Sequence, residues 1–485
     1  VPVRRVPDPA QLQESTVTNP RHLAEVFLED FRHAEDLTTL RLWKERWWRW
    51  HGSHYVEWST SDVKDELRSC IQREFDQFGL GDRSFLAHVT TGKVENTLQH
   101  LRTLVKVPNH FQQPAWLDET TYSSAEEYLA CQNGLIHVPT YLAGGTDYRL
   151  TPTPSFFSPN VIDFGFDPEA PEPAQWLKFL ETIWGDDQEN IDLLQEWYGY
   201  CLISDTRHHK AMMLIGPPRA GKGVIGRTLE ALVGDRNTAS TDFDSMSGPF
   251  GLQSLVGKTV AFLPDERISQ KADVTRLAAR LLKITGGDEV EVNAKYAAPV
   301  KMRLPIKFMV ATNQYPDLGD ATTVDRFLYL RFTESFIDRE DKTLEERLQK
   351  ERPGILLWAL AGLKRLQEQG KFTKTASGET VKESMRDINA SVAQFVRDCC
   401  QEVKEWKCLH ADESVDPEKY SVPFRKLYAE YRRYCSVNGI SDVKTDRKFR
   451  QDFLQTLPHV ASIAMRWDGG DPAKCYCGVV LRPKQ

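Results

Sequence analysis

Apolar positions along the chain change period several times, and each change predicts a change of element. In "TNPRHLAEVFLEDF" (18–31), Leu23, Val26, Phe27 and Phe31 fall at helical spacing behind an N-cap candidate, Asn19, and a proline at the first helical position. A surface helix with one buried face is predicted there. "LRLWKERWWRWHGSHYVEW" (40–58) is dense in aromatic and β-favouring residues around an "HGS" turn, which predicts a short meander burying its tryptophans in a small sheet. Helical patterns return in "STSDVKDELRSCIQREFDQF" and "VENTLQHLRTLVKV", after which "TPTPSFFSPN" and "DPEAPEP" break the chain with proline. From 175 to 203 the pattern is helical again and runs straight into an apolar strand, "HKAMMLIG".

Beyond that strand the alternation is of strands with helices. "VIGRTLEALVG" is an amphipathic helix, and "KTVAFLPDE" and "LPIKFMVATNQYPD" are apolar strands ending in polar residues. Between them "TGGD" and "EVEVNAKY" read as a turn and a hairpin strand. "RLQEQGKFTKTASGETVKES" (365–384) is apolar-poor and reads as a connector. "VPFRKLYAEYRRYCSVNG" and "TDRKFRQDFLQTL" are amphipathic helices followed by a strand candidate, "CYCGVVLRP", the ending of a winged-helix module.

The 485 residues exceed what one hydrophobic core organises. The pattern divides them into an N-terminal α+β domain (1–115), a helical collar (116–204), a motor core (205–345), a helical segment with linker (346–389) and a basic C-terminal domain (390–485). The fold class is multidomain α/β. No apolar run is long enough for a membrane span, and "VPVRRVPDPAQ" lacks the apolar core of a signal peptide. Nine cysteines in no framework spacing point to a reducing compartment, the cytoplasm. Cys399, Cys400, Cys408 and His410 do not have the paired-ligand spacing of a zinc site. The net charge is −7, but from Ser421 onward there are twelve Lys/Arg against six Asp/Glu. A basic terminal module on an acidic body brings polyphosphate to one place; Arg447, Lys448 and Arg450 are its candidate phosphate contacts.

"GPPRAGKG", following an apolar strand and opening a helix, has the context of a phosphate-binding loop, G-x-x-x-x-G-K-[ST]. Gly216, Pro217, Pro218, Arg219, Ala220, Gly221, Lys222, Gly223 and Val224 would surround the nucleotide, with Lys222 reaching its terminal phosphates. Gly223 stands where a metal-binding hydroxyl is usual. Forty-three residues past Lys222, "DE" ends the second strand: Asp265 is placed to hold Mg²⁺ and Glu266 to polarise an attacking water. Asn313 ends the third strand and can orient water. Arg326, thirteen residues later, is placed to act as a finger on a neighbouring subunit, or to pair with Asp325 or Glu334; Arg331 is the alternative finger or a sensor. In the hairpin Asn293, Lys295 and Tyr296 are candidates to grip a phosphate backbone, against an ordinary surface hairpin.

This ordered set, loop, acidic strand, TGGD hairpin, strand ending in Asn, then Arg, resembles the superfamily 3 helicases of the AAA+ class, and more narrowly the phage, plasmid and poxvirus primase-helicase group. The resemblance implies a P-loop core with a parallel sheet, a helical collar and a winged helix. It implies a homohexameric ring using ATP and Mg²⁺ to translocate 3′ to 5′ on single-stranded or forked DNA in replication, with a primase or polymerase domain on the N-terminal side. Carried over by motif, Lys222 binds phosphate, Asp265 and Glu266 serve metal and water, Asn313 is the sensor, Arg326 the trans finger and Lys295 the DNA contact. Gly223, and Pro264 before the acids, depart from the pattern. An AAA+ ATPase for protein remodelling or DNA packaging, and an ATP-switched DNA-binding initiator, stay open on the same residues.

Overall fold

The computed structural model describes residues 18–33, 37–77, 88–118, 122–264, 273–293, 299–316, 318, 321–339, 341–403, 419–438, 440, 443–465 and 473–482. Its N-terminal unit packs helices α1 (Pro20–Glu29), α2 (Thr60–Gln77) and α3 (Thr91–Val105) on an antiparallel sheet, β1 (Leu40–Trp43), β2 (Arg46–Trp50) and β3 (Tyr55–Trp58). Asn19 caps α1 by accepting from Arg21 N. Trp43, Trp47, Trp48 and Trp50 are all buried, so these four are core, while Trp58 is partly buried.

The region expected as a helical collar begins instead with short strands. β4 (Tyr128–Cys131), β5 (Gly134–His137) and β6 (Arg149–Leu150) form an antiparallel sheet, with one turn of helix, α4 (Val138–Leu142), inserted. Strands this short carry no readable period, which is why the pattern missed them. Only then come the helices α5 (Ala174–Trp184) and α6 (Gln188–Cys201). They are held by the helical segment after residue 345: Glu351 caps α5, accepting from Gln175 N and Trp176 N at 2.9 and 3.0 Å.

The region expected as the motor core is a five-stranded parallel sheet with helices on both faces. Its strands are β7 (Ala211–Ile215), β8 (Thr238–Ala239), β9 (Val260–Leu263), β12 (Lys307–Thr312) and β13 (Phe327–Arg331), in the order β8-β9-β12-β7-β13. Between β9 and β12 a separate hairpin pairs β10 (Glu289–Val292) with β11 (Val300–Arg303). Successive residues of β7 alternate between two cores: Met212 and Leu214 face one, Ala211, Met213 and Ile215 the other. Helix α7 (Lys222–Val233) follows the glycine loop, α8 (Phe243–Ser247) and α9 (Val274–Thr285) follow β8 and β9, and α10 (Ala321–Asp325) precedes β13.

After β13, α11 (Leu344–Lys350) and α12 (Arg352–Gln369) return to the collar. α12 crosses α6 closely because the contacts are glycines: a Cβ at Gly199 would stand 2.3 Å from Ala359 O, and one at Gly362 2.4 Å from the Gln195 carbonyl. The expected connector at 365–384 is mostly helix. Thr375 caps α13 (Ala376–Cys399), whose Val381 and Met385 are buried, so the boundary drawn at 389/390 falls inside one continuous helix.

The C-terminal unit pairs β14 (Cys400–Glu402) with β18 (Val479–Leu481) and sets α14 (Phe424–Val437) and α15 (Asp446–Thr456) on an antiparallel sheet of β15 (Ser421–Pro423), β17 (Ala473–Cys477) and β16 (Ala461–Met465). Phe424, Tyr431, Phe449, Phe453 and Tyr476 form its core. Among the described residues no helix is long and apolar enough to cross a membrane.

Candidate nucleotide site

Parallel pairing brings the ends of three strands abreast, since Ile215 of β7 is in register with both Thr312 of β12 and Arg331 of β13. Ligands of open α/β sheets bind outside these carboxyl ends, and the glycine loop leaves β7 at this edge. Lys222 begins α7 and is buried. Its Nζ donates to Gly216 O at 2.7 Å, Pro217 O at 2.6 Å and Asn313 Oδ1 at 2.9 Å. The structure therefore joins the loop lysine and the polar strand tip that the sequence named separately.

The loop is clasped from the far side of β13. Phe332 N donates to Ile215 O at 2.7 Å, Ser335 Oγ to Pro218 O at 2.8 Å and Phe336 N to Arg219 O at 2.9 Å. A Cβ at Gly216 would stand 2.4 Å from Phe332 O, so only glycine fits. Gly221 has φ +92° and lies under Phe179 and Ile183 of α5, each 3.1 Å from where its Cβ would be. Arg219 also has positive φ, 60°. Tyr198 OH of α6 donates to Ile225 O at 2.6 Å, tying the collar to the loop helix. None of these clasping residues carries a motif; Phe179, Ser335 and Phe336 are found only by folding the chain.

The backbone suits an anion. Pro217 and Pro218 have no N–H, but the first intrahelical donor of α7 is Ile225 N to Gly221 O at 3.1 Å, so the N–H groups of the preceding helical turn stand at the loop. The place of the missing hydroxyl is covered by an arginine: Arg227 Nη1 lies 2.8 Å from where a Cβ at Gly223 would stand. Glu345 of α11 holds that guanidinium, accepting Arg227 Nε at 3.0 Å and Nη2. Arg227 follows Gly223 by one helical turn, a spacing that could have flagged it.

The remaining candidates are spread. Asp265, Glu266, Lys295 and Tyr296 lie outside the described residues, whereas Asn293, at the end of β10, donates to Pro249 O at 3.4 Å. Arg331 is exposed at the loop's edge. Arg326 sits at the opposite edge, just before Phe327, which pairs with Ala211 at the start of β7. Asp325, a partner considered for Arg326, pairs instead with Lys382 and Arg386. In the C-terminal unit Lys448 pairs with Asp452 at 3.2 Å, and Arg450 reaches Asp446 at 3.2 Å with its guanidinium 3.9 Å over the Phe424 ring. Arg447 is exposed.

Three family models match parts of the chain: D5 N terminal like over residues 24–185, a family of unknown function, DUF5906, over 214–326, and Poxvirus D5 protein-like over 388–476. The two D5 matches, one on each side of the motor, carry the likeness to the phage and poxvirus primase-helicase group. An uncharacterized mitochondrial protein, ymf21, of Marchantia polymorpha is 28% identical over 76 residues, a stretch covering 16% of this chain and 42% of that relative. Among solved structures, an A-form apo structure of the NrS-1 C-terminal region aligns over 96% of this chain and 100% of its own, at 12% identity and a TM-score of 0.45. A second, the apo structure of NrS-1 residues 305–718, aligns over 95% of this chain and 99% of its own, at 12% identity and a TM-score of 0.45.

Proposed function

We propose that this chain, with D5-type sequence on both sides of a phosphate loop, is the motor of a replicative primase-helicase. In this reading it is a hexameric AAA+ helicase of superfamily 3 that moves 3′ to 5′ on single-stranded DNA. The observation that carries the reading is the meeting of Lys222 with Asn313 beside the clasped loop. The parallel strand order supports the AAA+ core, and two helices on a three-stranded antiparallel sheet support a winged helix. A cytoplasmic place, in a host cell for a phage or virus, goes with this reading.

ATP with Mg²⁺ would supply the phosphoryl group and its counter-charge. The N–H groups at the start of α7 would hold the phosphates, and Lys222 would leave the loop carbonyls for them. Asp265 would be the protein's metal ligand in the absence of a hydroxyl at Gly223. Glu266 would take the proton of the attacking water while Asn313 fixes that water's orientation. Five residues of β13 at about 3.3 Å each separate Arg326 from the loop edge, about 16 Å, beyond its own side chain's reach. In this reading its charge serves the nucleotide of an adjacent subunit. The β10–β11 hairpin, with Asn293, Lys295 and Tyr296, would line the channel against the DNA backbone.

Strand displacement on a forked DNA with ATP, run beside particle sizing, tests the proposal. Unwinding by a ring-sized particle, lost in Lys222→Ala, is expected. ATP hydrolysis by such a ring without displacement would favour remodelling or packaging instead.

A further inference from the structure

Helix α13 belongs to two cores at once. Val381 and Met385 are buried in the motor with Val324, Phe327 and Tyr329, whereas Val392, Phe395 and Val396 are buried in the C-terminal unit with Tyr431 and Phe449. The helix starts hard against the sheet: a Cβ at Gly378 would stand 2.5 Å from Tyr329 O, so no side chain separates α13 from β13 there. Deeper along it, Ser391 Oγ and Tyr431 OH share a buried 2.9 Å hydrogen bond.

Between these two anchorages, Lys382 and Arg386 converge on one carboxylate. Arg386 donates to Asp325 Oδ1 from Nε at 3.0 Å and from Nη2 at 2.6 Å, and Lys382 Nζ lies 3.3 Å from the same oxygen. Lys210, at the foot of β7, donates to the Asp325 carbonyl at 2.6 Å. Arg326 is the next residue, and its own carbonyl accepts from Ala211 N at 2.9 Å. The turn that presents Arg326 is thus clamped by α13 through a side chain and by β7 through the backbone. Partial burial disfavours the Asp325 carboxylate, but the hydrogen bonds from Arg386 and Lys382 and their charges outweigh it, so its pKa lies below the ordinary value.

Burial separates anchoring from orientation. The Asp325 and Arg386 side chains are each 46% exposed, and exposed pairs add little to stability. Val381 and Met385 are fully buried and contribute far more. Apolar packing therefore holds the helix, and what the ion pairs add is the orientation of residues 325 and 326.

We propose that Asp325 is a positioning residue for Arg326, and that α13 carries the orientation of the C-terminal unit to the finger. This rests on Arg326 acting on a neighbouring subunit's nucleotide. The C-terminal unit and the adjacent ATP site then share one rigid element.

The test uses the full chain. Asp325→Asn, and the pair Lys382→Gln with Arg386→Gln, are expected to lower kcat for ATP about 10-fold with KM unchanged. Lys382→Arg with Arg386→Lys keeps both charges and is expected to keep most of the turnover, and the melting temperature should hold in all three. Wild-type kcat in Asp325→Asn and the Gln pair, beside a defective Arg326→Ala, overturns this proposal and leaves the finger. Wild-type kcat in Arg326→Ala overturns the finger itself. An equal loss in the charge-keeping pair, or a fall in melting temperature that tracks the loss, assigns the effect to helix packing and also overturns the proposal.

Discussion

Lys222 and Asn313, 91 residues apart, meet in one hydrogen bond of 2.9 Å. The lysine opens the loop helix and the asparagine ends a neighbouring strand, so their contact is made by the register of β7 with β12. A buried ammonium needs acceptors, and Asn313 Oδ1 is one of them, beside the carbonyls of Gly216 and Pro217.

Asn313→Ala removes that oxygen together with the group proposed to orient water. Turnover of ATP is expected to fall about 100-fold, the scale of losing one preorganised polar group. Lys222→Ala should abolish it. Steady-state phosphate release measures both, and full ATPase in Lys222→Ala would exclude the loop as the nucleotide site.

Two glycines of the loop should respond oppositely to substitution. Alanine at Gly216 meets backbone, 2.4 Å from Phe332 O, which the Phe332 N to Ile215 O bond holds in place. Nucleotide affinity is expected to drop by more than about tenfold, since the clash displaces the loop. Serine at Gly223 meets only the guanidinium of Arg227, 2.8 Å away at the end of a half-exposed side chain that can give way by releasing Glu345. Its ATPase is expected to stay within about threefold of wild type or exceed it, as the hydroxyl would offer the proposed Mg²⁺ a further ligand. Nucleotide titration and turnover of the two variants decide; equal losses would contradict the geometry.

Lys307 should leave a mark in the pH dependence of stability. It is buried at the foot of β12, donates to Ile203 O at 3.1 Å and lies 4.6 Å from the Tyr200 ring centre. Burial pushes its pKa down from 10.5 to about 8. Below pH 8 both folded and unfolded chains hold the proton, and the folded state bears the whole cost of the buried charge. Between about 8 and 10.5 only the unfolded chain still binds it, so this contribution to stability rises with pH. The upper bound is about 3 kcal/mol. Lys307→Met should be at least as stable as wild type at pH 7, with the difference shrinking by pH 9.5. Urea midpoints of both proteins at the two pH values measure it, and a difference that widens would reverse the assignment.

How much of this was legible depends on the range of the interactions. The loop, the apolar strands and the TGGD hairpin are local patterns, and all are present where the sequence placed them, as are the buried tryptophans of the N-terminal sheet. The strands of residues 128–150 were not legible because two to four residues cannot display a period. Helix α13 was hidden for another reason: its polar first half is helical through Thr375, which caps it, and through two apolar anchors, Val381 and Met385, that find partners far away in sequence. The clasp of Ser335 and Phe336 on the loop is purely tertiary. The pairing of Lys448 with Asp452 and of Arg450 with Asp446, by contrast, follows helical i,i+4 spacing and was readable before folding.

That pairing changes which basic residue of the C-terminal unit should matter for DNA. Asp452 is buried and holds Lys444 at 2.7 Å as well as Lys448, while Arg450 is committed to Asp446 and the Phe424 ring. A cation already paired gains little from a phosphate, because it must give up its carboxylate to reach one. Arg447, exposed on the same helix, pairs with no carboxylate among the described residues. If the unit binds DNA as its basic charge predicts, Arg447→Ala should weaken binding and reduce the slope of log affinity against log salt by about 1, whereas Lys448→Ala and Arg450→Ala should change that slope much less. Asp452→Ala is the contrasting control. It removes the buried carboxylate that Lys444 and Lys448 share and should destabilise the C-terminal unit. Fluorescence anisotropy on single-stranded DNA across a salt series, with circular dichroism on each variant, separates the effects. Equal slopes for Arg447→Ala and wild type, with folding intact, would move the DNA contact off this helix.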